Sequence, residues 1–241
     1  MNYDTPHFLD TNIFMSISFK DKFKESCTDY FKRKYVKYTS EKVENESYNL
    51  ITKSEYISFE ILKEIENYIY LNNIADEEIV SHLKYIQKNF VKKYSNKKYP
   101  FGFKKDKFEK ITKELFLNYY DTFKRDILYL PIIQILNKEN KKTKNTFKQS
   151  TASLIYLFDN VHVLNFSEEK NDENILKNLK KNGIHPPDNY ILLDSYKTSK
   201  LLNESIIFIT MDKGILKRKN ILLKEFKSEI DVKHPEEYIN N

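Results

Sequence analysis

Two short apolar runs that each end in an aspartate frame the hydrophobic pattern of this chain: Phe8-Leu9-Asp10-Thr11-Asn12-Ile13-Phe14 at the start and Ile206-Ile207-Phe208-Ile209-Thr210-Met211-Asp212 near the end. Continuous apolar runs of this length, closed by polar residues, are the pattern of buried strands. Between them, residues 21–37 read as a helix rich in lysine and aromatic residues, residues 40–47 as a polar loop, and residues 48–52 as a second short strand. Ile57, Ile61, Ile65, Tyr68 and Ile69 then recur at helical spacing, which predicts a helix from about Ser54. Glu60 and Glu64 fall together on one border of its apolar stripe.

From about residue 72 to 150 the pattern is helical throughout, with Ile79, Leu83, Ile86 and Phe90 forming one stripe and Phe108, Ile111, Leu115, Tyr119 and Phe123 another. A basic and aromatic stretch, residues 92–105, separates the two, and a second basic stretch, 138–148, reads as an exposed connector before a helix at 151–159. Strand-like text returns at 161–166, followed by helices at 172–181 and 189–202, with Gly183 suited to stopping the first. The second helix leads directly into the run that ends at Asp212. Strand, helix and strand joined by short connections imply parallel pairing through right-handed crossovers. The expected fold class is therefore α/β, a parallel sheet of four or five strands flanked by helices. It forms a single domain whose core comes from 1–70 and 155–241, with a mostly helical insertion at 71–154.

Composition narrows the chemistry. Three glycines in 241 residues leave no room for a phosphate-cradling glycine loop or a dinucleotide fingerprint. One cysteine and five scattered histidines speak against an internal disulfide and a structural zinc site. No apolar run approaches the ~20 residues of a membrane span and no charged-then-apolar leader is seen, which leads to the expectation of a cytoplasmic protein with no membrane partner. The formal net charge of +6 suits a polyanionic partner, but lysine is abundant everywhere in the chain and the charge alone selects none.

The two aspartates change the picture. If the first and last apolar runs are neighbouring strands, Asp10 and Asp212 emerge side by side at the carboxyl edge of the sheet, where open α/β sheets bind ligands. Two carboxylates about 4 Å apart repel by roughly 4 kcal/mol at an effective dielectric near 20. Protons or a divalent cation must offset that charge.

Phe8-Leu9-Asp10-Thr11-Asn12-Ile13-Phe14 resembles the opening motif of PIN-domain ribonucleases, and Phe208-Ile209-Thr210-Met211-Asp212 resembles their closing motif, in the expected order. The resemblance covers roughly 1–70 and 155–241 and implies a PIN-like fold with a quartet of acids. Asp10 matches the first acid and Asp212 the fourth. Glu60 matches the second, with Glu64 as fallback. Asp188 at a helix start is favoured for the third, with Asp194 as the alternative. Thr11, Asn12 and Thr210 are donors suited to orienting those carboxylates.

The resemblance further implies Mg²⁺ or Mn²⁺ held by Asp10, Asp188, Asp212 and Glu60, and metal-dependent hydrolysis of RNA phosphodiester bonds. The partner expected is single-stranded RNA, met by the 92–105 stretch through Lys97, Lys98, Lys104, Lys105, Tyr99 and Phe101. A homodimer and an antitoxin or inhibitor protein are further partners that the family allows. Two rival readings stand beside this one. The first is a PIN-like module that binds RNA or protein without catalysis. The second is a phosphohydrolase of the haloacid dehalogenase type, whose second aspartate is replaced here by Asn12.

Overall fold

The computed structural model describes residues 5–19, 22–95, 105–169 and 171–238. The chain divides into two compact units, one built from 1–49 and 150–241 and the other from 50–149. Among the described residues the first unit holds a sheet of five strands: β1 (His7–Leu9), β2 (Lys37–Ser40), β3 (His162–Leu164), β4 (Ile206–Ile209) and β5 (Ile230–Lys233). Every pairing is parallel and the order is β3-β2-β1-β4-β5. The expected α/β class with a helix-flanked parallel sheet is what the chain adopts. No helix among the described residues is long and apolar enough to cross a membrane.

Sheet order decides where a site can form. From β1 the chain winds outward through β2 to β3 on one side and through β4 to β5 on the other, so the order reverses between β1 and β4. Such a reversal opens a crevice at the carboxyl ends of the two strands. The pair is held in register by Phe8 opposite Phe208 and Leu9 opposite Ile209. All four side chains are fully buried and the two phenylalanine rings stack at 6.0 Å. Burial of each is worth about 1.5–3 kcal/mol, which fixes the register that brings residues 10 and 210 level.

Helices carry the rest of the unit. α1 (Thr11–Phe19) begins directly after Asp10, and its Phe14 stacks on Phe158 at 4.4 Å. α2 (Lys24–Phe31) follows, and α3 (Glu41–Asn72) starts at the residue after β2. After β3 come α7 (Asp172–Lys181) and α8 (Asp188–Leu202). α9 (Lys213–Leu216) and α10 (Lys219–Glu225) lie between β4 and β5.

Among the described residues the second unit holds helices and no strand: most of α3, α4 (Ile79–Ser95), α5 (Lys105–Asp126) and the first part of α6 (Ile132–Asp159). Its core joins Ile57, Ile61 and Ile65 to Ile86, Phe90, Phe108, Phe123 and Ile135. The two stripes read from periodicity are its interior.

Three expected elements differ. Residue 37, read as the last of a helix, opens β2, and residues 40–47 and 48–52, read as loop and strand, belong to α3 from Glu41 onward. The stripe of α3 runs Val43, Ser47, Ile51, and the buried Ser47 donates its hydroxyl to the Val43 carbonyl at 2.8 Å, so a polar letter occupies an interior position and hides the period. β2 is hidden in the same way. Its Thr39 hydroxyl donates to the Leu9 carbonyl at 3.0 Å, and its Lys37 ammonium donates to the carbonyls of Arg33 and Tyr35. The 138–148 stretch is helical and continuous with 151–159 in α6, not a connector.

At the opposite end of β1, His7 is buried among Tyr30, Tyr35 and Tyr238, with Nδ1 2.5 Å from the Tyr30 hydroxyl. Burial, with Lys37 and Lys233 nearby, lowers its pKa from 6.5 to about 4. The unfolded chain takes up a proton near pH 6.5 that the folded chain refuses until about 4, so this stability is present above 6.5 and lost as pH falls. Between pH 7 and pH 5 the wild-type chain should lose about 2 kcal/mol relative to His7→Gln. Urea unfolding at the two pH values checks this, and a constant difference between the proteins would contradict it.

Candidate active site at the carboxyl edge of β1 and β4

Asp10 follows β1 and its backbone N–H continues the sheet by donating to the Ile209 carbonyl at 3.1 Å. Its side chain is 5% exposed. Oδ1 accepts from the Thr11 N–H at 2.8 Å, while Oδ2 accepts from the Asn12 amide at 2.6 Å and from the Thr210 hydroxyl at 2.6 Å. A carboxylate offers about four acceptor positions, so one remains, on Oδ1.

The Thr210 hydroxyl joins the two motifs. While donating to Asp10 it accepts from the Asn12 amide and from the Asp212 N–H, each at 3.0 Å. Asn12 completes the closure, its Oδ1 accepting from the Met211 N–H at 3.0 Å. The hydroxyl's single proton and both its lone pairs are used. One bridging oxygen therefore separates the Asp10 carboxyl from the backbone of Asp212. The sequence reading gave Thr11, Asn12 and Thr210 an orienting role; Asn12 and Thr210 bind the Asp10 carboxyl through their side chains, Thr11 through its backbone.

Other acids gather around this point. Thr11 donates its hydroxyl to Glu46 at 2.7 Å, tying the first turns of α3 to the motif. Asp188, half-buried at the start of α8 after the cis Pro186–Pro187 peptide, lies close enough for its charge to act on Asp10. Burial foremost, then the charges of Asp188 and Glu46, raise the Asp10 pKa from 3.8 to about 7, against the lowering effect of the bonds from Thr210 and Thr11. Beside Asp188, Asn189 is fully buried and neither of its amide atoms has a partner among the described residues, an unmet donor and acceptor worth about 1–3 kcal/mol.

The remaining expected residues have other engagements. Asp212 is exposed, and its Oδ1 caps α9 by accepting from the N–H groups of Gly214 at 2.6 Å and Ile215 at 2.9 Å. Asp194 is buried and paired with Lys42 at 2.8 Å. Glu60 and Glu64 lie in the helical unit, where Glu60 accepts from the Tyr94 hydroxyl at 3.0 Å and Glu64 from Lys93 at 2.6 Å. Lys97, Lys98, Tyr99, Phe101 and Lys104 lie outside the described residues, and Lys105 opens α5 in an exposed position. Among the described residues no three acidic, histidine or cysteine side chains are grouped so as to hold a metal ion.

Glu46, Lys42 and Arg218 do not stand out in the sequence. Glu46 would surface if α3 were started at Glu41. Arg218 donates to the carbonyls of Asn182 at 2.6 Å and Gly214 at 2.8 Å, which places a guanidinium beside the turn that carries Asp212. Gly183, at φ +76°, is suited to that backbone turn, and a Cβ there would come within 2.7 Å of the guanidinium and displace it.

No protein-family model, curated protein or solved structure matches this chain.

Because the unfolded Asp10 ionises near 3.8 and the folded one near 7, stability from this group is full below 3.8 and lost as pH rises to about 7. Asn at this position does not titrate. The unfolding free energy of Asp10→Asn relative to wild type should therefore shift in the variant's favour by roughly 3–4 kcal/mol between pH 4 and pH 8. Denaturant titrations across that range test this; a pH-independent difference would overturn the assignment.

Proposed function

We propose that this chain is a PIN-like, metal-dependent endoribonuclease whose site is the carboxyl edge of β1 and β4. The observation that carries the reading is the buried Asp10 carboxyl at the point where strand order reverses, with Asp188 and Glu46 close enough to raise its pKa and with Thr210 bridging it to Asp212. Glu46 takes the place that the sequence reading gave to Glu60, because Glu46 meets the opening motif through Thr11.

The donor chemistry, oxygen throughout, suits a hard divalent cation, although no three of these side chains stand grouped as a ready ligand set among the described residues. Asp10, Asp188, Asp212 and Glu46 would supply carboxylate oxygens, the ligand type that Mg²⁺ and Mn²⁺ prefer. Burial foremost, then the charges of Asp188 and Glu46, oppose the charge on Asp10; a cation would offset that cost, and Oδ1 keeps one acceptor position. When bound, such an ion supplies an activated water and neutralises charge on a phosphodiester. The chain's own residues do the positioning: Asn12 and Thr210 fix the Asp10 carboxyl, Thr11 holds Glu46, and Arg218 stands beside Gly214 as a cation toward which a substrate phosphate would be drawn. The dehalogenase-type alternative lacks its second acid, and the Asn12 amide that stands there is consumed by Asp10, Thr210 and Met211.

A second reading is favoured by one observation. The Asp212 carboxylate is engaged in capping α9, which suits a PIN-like module that binds without cleaving. Labelled single-stranded RNA incubated with Mn²⁺ separates the two. Cleavage should require the metal, fall about 100-fold or more in Asp10→Asn, fall about tenfold in Glu46→Gln, and change less than about twofold in Glu60→Gln. Absence of metal-dependent cleavage by the wild-type protein would favour the binding module. Loss in Glu60→Gln with retention in Glu46→Gln would return the second acid to Glu60.

A further inference from the structure

The helical unit carries a feature that the proposed chemistry does not use. α4 and α5 meet along a seam in which Leu83, Lys84 and Gln87 face Lys113, Phe116, Leu117 and Tyr120, while Lys88, Val91 and Lys92 face Lys105 and Glu109. Low numbers on α4 meet high numbers on α5, so the helices run antiparallel and the two depressions, of about 370 and 420 Å³, follow one another along the seam.

The floor is apolar. Leu83 and Phe116 are 2% and 3% exposed, and Leu117, 53% exposed, stands open to whatever lies in the groove. Lysines form the rim. Lys84, Lys88 and Lys92 recur every fourth residue on one face of α4, a row about 12 Å long. Lys105 and Lys113 face them from α5. Among the described lining residues Glu109 is the one acid, and Lys84, Lys88 and Lys113 have no acidic partner among the described residues.

An apolar floor with a charged rim is the anatomy of a groove that receives an amphipathic helix. The sign of the rim then selects the occupant, since like charges laid along it would repel and acidic ones be attracted. Single-stranded RNA would also meet the lysines, but it is held by exposed aromatic faces, and among the described lining residues only Tyr120 offers a ring more than slightly open to solvent. We propose that the α4–α5 seam is a docking groove for an acidic amphipathic helix supplied by a protein partner. Leu117 anchors the apolar face and Lys84, Lys88 and Lys113 read the acidic flanks. This surface is independent of the carboxylate site and stands whether or not the chain cleaves RNA.

Selection on the full-length protein from a display library of peptides about 18 residues long, five helical turns, tests it. Recovered sequences should carry apolar residues at i, i+3 or i+4, and i+7 with Asp and Glu between them. In fluorescence anisotropy their binding should weaken about tenfold or more in Leu117→Asp and in the double variant Lys84→Glu/Lys88→Glu. Both changes lie on exposed positions, and circular dichroism should show their helix content unchanged. Recovery of peptides without that pattern, or of peptides that bind both variants as tightly as wild type, overturns the proposal. So does displacement of the peptide by labelled single-stranded RNA whose own binding is lost in the lysine variant and kept in Leu117→Asp, since that result assigns the groove to nucleic acid.

Discussion

One hydroxyl group holds the candidate site together. Thr210 donates to the buried Asp10 carboxyl and accepts from the Asp212 backbone, joining positions two hundred residues apart in the chain. Its placement follows from the sheet. Parallel pairing of β1 with β4 in the register Phe8 to Phe208 puts the strand ends level, and the stacked, fully buried rings resist a slip. A slip of one residue would turn Asp10 to the other face and leave Thr210 without its acceptor.

The same arrangement explains why the site is electrostatically poised. Carboxyl groups at a strand edge are ordinarily solvated and ionised. Here burial and two neighbouring carboxylates oppose the charge on Asp10, while the bonds from Thr210 and Thr11 support it, and the balance places its pKa at about 7. A group balanced in this way exchanges its proton near neutral pH. Asp194, on the same helix as Asp188, is also pushed up by burial, but it has a lysine of its own at 2.8 Å that works against the shift.

The ends of the chain are readable because their chemistry and their periodicity agree. β1 and β4 are apolar runs with no interior polar residue after His7. The middle of the first unit is not, because β2 and the start of α3 bury Thr39, Ser40 and Ser47, polar residues of which Thr39 and Ser47 are satisfied through backbone carbonyls. That difference displaces the helix start, and with it the acid: a helix begun at Ser54 has Glu60 in its second turn, whereas a helix begun at Glu41 has Glu46 there. The helical unit is readable in its interior and silent about its surface. Leu83 and Phe116 belong to core stripes by spacing, and nothing in their periodicity says that Leu117 and a row of lysines border an open seam above them.

Manganese binding tests the central claim most directly, because it asks whether the acids gathered at the β1–β4 edge act as one oxygen-donor site. Titration followed by electron paramagnetic resonance should show saturable loss of the free Mn²⁺ signal with wild-type protein, loss of that binding in Asp10→Asn, and weakening in Thr210→Val, where the carboxyl is no longer fixed. Undiminished free Mn²⁺ with the wild-type chain, or equal binding by wild type and Asp10→Asn, would contradict the account.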